Sequence, residues 1–280
     1  MKINLAKSAG FCFGVKKAIT TASQTARTKK SVFMLGDIVH NEKVVKQIQK
    51  TGIKKISRLS SGKGKTLLIR AHGCSRHTLE RALKLGYKVI DATCPMVKEI
   101  HKIARRLENQ GYRIIIIGDK KHDEVMGIVG QLKFKAIVID KLQNIPLEKI
   151  KKITKAGIVV QSTQDLSILP EILKLLHRYI PEISFHNTIC NPTRNKQNEV
   201  KTMPLENSVM IIIGSKTSAN TKRIYEISKS LNKNSYWVNS TKEINKNWLN
   251  NAKNVGITAG ASTPESSIKE VIAKIKLLAS

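Results

Sequence analysis

The 280-residue sequence predicts an α/β protein with mostly parallel sheets. Short aliphatic runs recur along it, each about strand length and near-continuously apolar, as strands buried on both faces must be. Polar or glycine-rich breaks follow them, and then stretches with helical apolar spacing. A third observation points to similar units: Cys12, Cys94 and Cys190 lie 82 and 96 residues apart, and each follows a strand pattern and precedes a helical one.

The elements run as follows. A possible strand at Ile3–Ala6 leads to Gly10-Phe11-Cys12-Phe13-Gly14. The runs Ser31–Leu35, Thr66–Ile69 and Tyr87–Ile90 come next, the last leading into Asp91-Ala92-Thr93-Cys94-Pro95. Val97, Ile100, Ile103, Ala104 and Leu107 give Val97–Asn109 the spacing of an amphipathic helix. Arg113–Ile117, Ala136–Ile139 and Gly157–Val160 read as strands, and Ile183–Phe185 as another before Cys190-Asn191-Pro192-Thr193. Val209–Ile213 and Asn254–Ile257 complete the strand series, and Ile268–Leu278 closes it as a helix. We expect three α/β units: residues 14–95, residues 96–190, and residues 191–280 joined by 1–13.

Composition narrows the function. Apolar residues at 41% and charged residues at 25% are ordinary globular usage, which excludes a disordered chain. No apolar run approaches the ~20 residues of a membrane span, and Met1-Lys2-Ile3-Asn4-Leu5-Ala6-Lys7 lacks the apolar stretch of a signal peptide. The expectation is a cytoplasmic protein without a membrane partner. A formal net charge of +30 has three readings: nucleic-acid binding, steering of an acidic protein or small anion, or Lys-Ile-Asn-rich drift. The cations are spread through both halves of the chain, and 4% aromatics offer little for base stacking. Both observations weigh against a dedicated nucleic-acid binder, which stands as the alternative.

The cysteines bear on the chemistry. Ligands of parallel α/β sheets bind beyond the carboxyl ends of strands, and Cys12, Cys94 and Cys190 all follow strands. Pro95 and Pro192 suit a first helical turn, which places two of the thiols at helix starts, where thiolate is favoured. Three soft ligands fit an iron–sulfur cluster with one open iron or a zinc with one open position. They also fit three unrelated buried cysteines acting as small hydrophobes. Cys74, in Ala71-His72-Gly73-Cys74, lies off the pattern and reads as a non-ligand.

Polar residues gather at the other strand ends: Val39-His40-Asn41, Ala71-His72-Gly73, His122-Asp123-Glu124, Gln161-Ser162-Thr163, Gly214 to Asn220, and Thr258 to Ser262. Histidines and Ser/Asn-rich helix starts on one strand-exit side fit a phosphate or diphosphate cradle. Ser218, Asn220 and Ser262 equally suit helix capping, and Ser262-Thr263-Pro264-Glu265 matches a capping box. Glu124 alone reads as a first-turn acid meeting the helix dipole. Other motifs fail: Gly62-Lys63-Gly64-Lys65-Thr66 has Leu59 where a P-loop needs its first glycine. No Pro-Cys-x-x-Cys accompanies His122-x-Glu124 as in zinc deaminases, and no G-x-G-x-x-G follows a strand, so no nicotinamide cofactor is expected.

Taken in order, these motifs resemble the 4-hydroxy-3-methylbut-2-enyl diphosphate reductase family of the non-mevalonate isoprenoid pathway. The resemblance runs from Gly10-Phe11-Cys12-x-Gly14-Val15 through Asp91-Ala92-Thr93-Cys94-Pro95 and Cys190 to Thr258-Ala259-Gly260-Ala261-Ser262. It implies three α/β units in pseudo-threefold arrangement around one [4Fe–4S] cluster held by Cys12, Cys94 and Cys190. It implies reductive removal of an allylic hydroxyl, with two electrons and two protons, to give isopentenyl and dimethylallyl diphosphates. By the same resemblance, His40, His72, His122, Ser218, Asn220 and Ser262 hold the diphosphate and Glu124 delivers protons, with ferredoxin or flavodoxin as electron donor. Two positions depart from the family pattern. Ser162 stands where Thr is usual beside the substrate hydroxyl, and Ala219 where relatives often carry Ser, leaving a backbone N–H or water to contact the diphosphate.

Overall fold

The computed structural model of the chain describes residues 1–279. It has twelve strands: β1 Lys2–Leu5, β2 Val32–Leu35, β3 Lys54–Ile56, β4 Thr66–Ile69, β5 Lys88–Asp91, β6 Arg113–Ile117, β7 Ile137–Ile139, β8 Lys155–Val160, β9 Glu182–His186, β10 Val209–Ile213, β11 Ser235–Val238 and β12 Asn254–Ala259. Among the described residues there are ten α-helices: α1 Phe13–Thr28, α2 Glu42–Lys50, α3 Arg76–Lys84, α4 Pro95–Asn109, α5 Asp123–Val129, α6 Leu147–Ile150, α7 Leu169–His177, α8 Asn191–Glu206, α9 Ala219–Leu231 and α10 Glu265–Ala279. None of them is long and apolar enough to cross a membrane.

The strands form three four-stranded sheets, and every pairing is parallel. The orders are β3-β2-β4-β5, β7-β6-β8-β9 and β11-β10-β12-β1. One topology is thus repeated three times, with β1 serving as the fourth strand of the last sheet. Lys2 to Leu5 lie against Asn254 to Ile257.

Burial on both faces explains the unbroken aliphatic runs. In β6, Ile115 and Ile117 pack with Leu169, Ile172 and Leu176 of α7, whereas Ile114 and Ile116 pack with Ile100, Ala104 and Leu107 of α4. In β10, Val209, Ile211 and Ile213 meet Ile268, Val271 and Ile275 of α10, while Met210 and Ile212 meet Val200 of α8 and Ile224 of α9. Alternate side chains point to opposite faces, so a strand between two helical layers has no position left for a polar residue. Each such side chain contributes about 1.5–3 kcal/mol by leaving water.

The sequence reading placed ten strands and omitted β3 and β11. Both are edge strands with one neighbour. Lys54 and Lys55 of β3 are exposed, a pattern that blunts an edge but hides a strand from an apolar-run criterion.

The chain divides into two compact units. One comprises Met1–Lys16, Val39–Gln47 and the chain from Asn191 onward; the other comprises Lys17–Ile38 and Ile48–Cys190.

Candidate active site

The three cysteines occupy one repeated position. Each follows the edge strand of its sheet, β1, β5 or β9, and donates its backbone N–H to the loop after the adjacent strand. Cys12 donates to Ala261 O at 3.1 Å, Cys94 to Ala71 O at 2.9 Å and Cys190 to Ser162 O at 3.1 Å. Each acceptor is the second residue beyond its strand, after Ala259, Ile69 and Val160. Each cysteine also meets a helix start: Cys12 directly precedes α1, Cys94 is the N-cap of α4 with Pro95 in the first turn, and Cys190 directly precedes α8. The Val15 N–H donates to Cys12 Sγ at 3.5 Å.

The strand between the first edge strand and the middle of each sheet shows a second repeat. After Leu35, Ile117 and Ile213 the next residue is glycine: Gly36, Gly118 and Gly214. The fifth residue is His40, His122 or Ser218, and the seventh is Glu42, Glu124 or Asn220, at or near the start of α2, α5 and α9.

In the unit containing residues 48–190, Glu124 is 2% exposed. Its carboxyl group accepts from the Ser162 backbone N–H at 2.6 Å and from the Ser162 hydroxyl at 2.7 Å. Burial pushes this carboxyl above the usual range, and the two Ser162 bonds only partly oppose it. A continuous path therefore runs from the Glu124 carboxyl through Ser162 to the Cys190 amide. His122 caps α5: its Nδ1 accepts from the Glu124 N–H at 3.2 Å, so a neutral ring carries its proton on Nε2. The His72 and His122 rings stand edge to face with centroids 5.7 Å apart. Arg70, at the exit of β4, pairs with Asp123 at 2.6 Å and ties the His72 loop to the start of α5.

In the other unit, Asn41 caps α2 by accepting from the Val44 N–H at 3.1 Å, directly after His40. The Ser262 hydroxyl donates to His40 O at 2.8 Å, so it binds across to another loop instead of closing the capping box its sequence suggested. Ser218 does cap α9, accepting from the Thr221 N–H at 3.3 Å. Ala219 opens that helix, and the amide oxygen and nitrogen of Asn220 are buried without hydrogen-bond partners among the described residues. A buried amide in that state is completed by a water or by a ligand that displaces it. Gly260 makes the arrangement possible, because a Cβ there would fall 2.0 Å from Thr221 Oγ1. Gly10, at φ +94°, turns the chain into Cys12 in a conformation that favours glycine.

Cys74 differs from the other three. Burial, reinforced by the Asp91 charge, raises its thiol to about 11, which keeps it protonated.

Residues 3–276 match the family described as LytB protein. The chain belongs to the LytB family. Among the curated relatives of this LytB chain is the 4-hydroxy-3-methylbut-2-enyl diphosphate reductase of Aquifex aeolicus, 39% identical over 278 residues, covering 98% of this chain and 96% of the relative. A protein of the same name from Geobacter sulfurreducens is 38% identical and covers 99% and 97%. Of the solved structures, (E)-4-hydroxy-3-methyl-but-2-enyl diphosphate reductase, described as the terminal enzyme of the non-mevalonate pathway, is 39% identical with a TM-score of 0.73, covering 99% of this chain and 100% of that one. The E-1-hydroxy-2-methyl-but-2-enyl-4-diphosphate reductase from Plasmodium falciparum is 27% identical with a TM-score of 0.88, covering 97% and 87%. None of these relatives supports the nucleic-acid reading of the charge.

Sequence reasoning missed several supporting residues. Besides Arg70, Gln161 fixes the Gly118–Glu124 turn: its Oε1 accepts from the Asp119 N–H at 2.8 Å, and its Nε2 donates to Thr163 Oγ1 at 2.9 Å. Its place in Gln161-Ser162-Thr163 was a signal, but nothing in the sequence named its partners.

Proposed function

We propose that this LytB-family chain reduces 4-hydroxy-3-methylbut-2-enyl diphosphate to isopentenyl and dimethylallyl diphosphates. The substrate's C–O bond breaks, two electrons and two protons enter, and water leaves. The observation that carries this reading is the buried Glu124 carboxyl, held by Ser162, whose carbonyl in turn holds Cys190.

We assign Cys12, Cys94 and Cys190 as ligands of one [4Fe–4S] cluster with one iron lacking a protein ligand. The donor set suits it: three half-buried thiols, soft ligands for iron, each beside a helix start. When bound, the cluster would pass the two electrons to the substrate one at a time, each replaced by the external donor. The repeated strand order supports three α/β units spanning residues 14–95, residues 96–190, and residues 191–280 with 1–13.

The remaining chemistry belongs to side chains. Glu124 holds a proton because burial disfavours its charged form, and Ser162 can pass that proton, since a hydroxyl both donates and accepts. Loss of hydroxide from carbon needs this proton. His40, His72, His122, Ser218, Asn220 and Ser262 hold the diphosphate, and the backbone N–H groups opening α9 at Ala219 take the place of an absent hydroxyl. An acidic ferredoxin or flavodoxin delivers electrons in the cytoplasm, attracted by the +30 surface, and reduction slows as salt is raised.

Anaerobic purification followed by iron and sulfide analysis tests the assignment. The expected result is a brown protein with about four irons per chain, as the cluster type requires. Replacement of Cys12, Cys94 or Cys190 by Ser abolishes the colour. A colourless chain that iron and sulfide cannot reconstitute overturns the reading.

A further inference from the structure

Lys196 is the largest fully buried side chain, 1% exposed in the middle of α8. A buried ammonium is costly unless its three N–H donors are matched by acceptors. Its Nζ donates to Ser8 O and, at 3.0 Å, to Ala259 O. These carbonyls belong to two different strand exits, the loop after β1 and the last residue of β12. One turn further along α8, Glu199 accepts from the Ser8 N–H, at 3.0 Å to Oε2 and 3.3 Å to Oε1, and from the Ser8 hydroxyl. Ser8 is therefore gripped at its carbonyl by a cation and at its amide and hydroxyl by an anion, both on one helix face.

The two segments that Lys196 joins are those that place Cys12. The Cys12 N–H donates to Ala261, two residues beyond Ala259, and Ser8 lies four residues before Cys12. We propose that Lys196 and Glu199 are positioning residues for the Cys12 thiol, forming a clasp that fixes the Ala6–Cys12 turn against the end of β12. This rests on the reading of Cys12 as a cluster ligand. It also accounts for a charge in the core where an apolar residue would pack at lower cost, because no apolar side chain can hold two carbonyls of neighbouring loops together.

The test compares Glu199→Ala, Lys196→Met and Lys196→Arg with the unaltered chain, after thermal unfolding has established that each is folded. Each is reconstituted with iron and sulfide without oxygen, and a chelator is added to follow iron loss. Glu199→Ala and Lys196→Met release iron at least about tenfold faster and change the spin-resonance spectrum of the reduced protein, while Lys196→Arg retains most of the unaltered behaviour. Hydrogen exchange of the 6–12 segment in the iron-free chain accelerates in the first two variants and not in the third. Glu199 is only half-buried, so Glu199→Ala decides the matter if Lys196→Met does not fold. Wild-type iron retention, spectrum and exchange in a folded Glu199→Ala overturn the clasp. An unaltered chain that takes up no iron instead overturns the cluster reading, with exchange still reporting on the clasp.

Discussion

Ser162 donates both its backbone N–H and its hydroxyl to the carboxyl group of Glu124, at 2.6 and 2.7 Å. The pair is buried, and burial outweighs these two bonds in setting the carboxyl's proton affinity. Such a group keeps a proton where an exposed glutamate has lost it. Glu124→Gln keeps the shape and one acceptor but has no proton to give. Turnover falls by roughly 10²–10⁴-fold, the usual worth of a general acid, while iron content stays unchanged. Near-normal turnover in single-turnover assays contradicts the role.

The Ser162 hydroxyl supplies one of the two interactions that lower the Glu124 proton affinity, so its removal moves the group further upward. In Ser162→Ala the backbone bond remains and the hydroxyl is lost. The alkaline fall of kcat, which follows Glu124 deprotonation, shifts to higher pH, and kcat at its plateau drops about tenfold or more as the relay is cut. Ser162→Thr restores the hydroxyl and behaves like the unaltered chain. A pH–rate profile for the three proteins distinguishes these outcomes.

Glu124 also costs stability. Above the ordinary glutamate range the unfolded chain has lost this proton and the folded chain has kept it. Folding therefore weakens as pH climbs towards the raised folded value, and the loss persists beyond it. Glu124→Gln removes that penalty. Its melting temperature exceeds that of the unaltered chain, by about 2–4 °C for each kcal/mol recovered, and the gap is wider at about pH 8 than at about pH 5. Equal gaps at both pH values would refute this.

His101 of α4 carries the opposite dependence. It is 7% exposed, and burial, with the nearby Arg105 charge, lowers its pKa to about 4. The unfolded histidine takes up a proton near its ordinary 6.5, so stability is complete above that value and is lost as pH falls towards about 4. The loss approaches roughly 3 kcal/mol on the scale of 1.36 kcal/mol per pKa unit. His101→Met, with a flexible apolar side chain and no titration, flattens denaturant midpoints measured across this range.

Cys74 should resist chemistry that its sequence neighbourhood does not hint at. With its thiol held near 11, native protein reacts with iodoacetamide at Cys74 at least tenfold more slowly at about pH 8 than an unperturbed cysteine. Cys74→Ser leaves iron content and turnover intact. Peptide mapping after a timed alkylation checks the first statement.

The sheets were legible because buried parallel strands have no room for polar residues, as the double-sided packing of Ile114–Ile117 illustrates. The cysteines were legible as members of a series, and their surroundings as strand exits. The Ser162–Glu124 pairing was not, because 38 residues separate the partners and only the register of β6 against β8 brings their loops together. Lys196 was also invisible. A lysine in a chain with 50 basic residues reads as surface charge, and only the positions of Ser8 and Ala259 reveal it as an internal strut.

The pairing of β1 with β12 has a consequence for biosynthesis. Lys2 is made some 250 residues before its partner Asn254, a separation that delays closure of this sheet. The other two sheets, confined to residues 32–91 and 113–186, have all their strands long before then. Cys12 has no Ala261 carbonyl to bind until residue 261 has been made. A polypeptide stopped between residues 190 and 261 would thus carry all four cysteines and two complete sheets, yet lack the anchor for one of its proposed iron ligands. In such a stalled chain the Cys12 turn waits on β12, so the order in which the strands are made delays placement of this thiol.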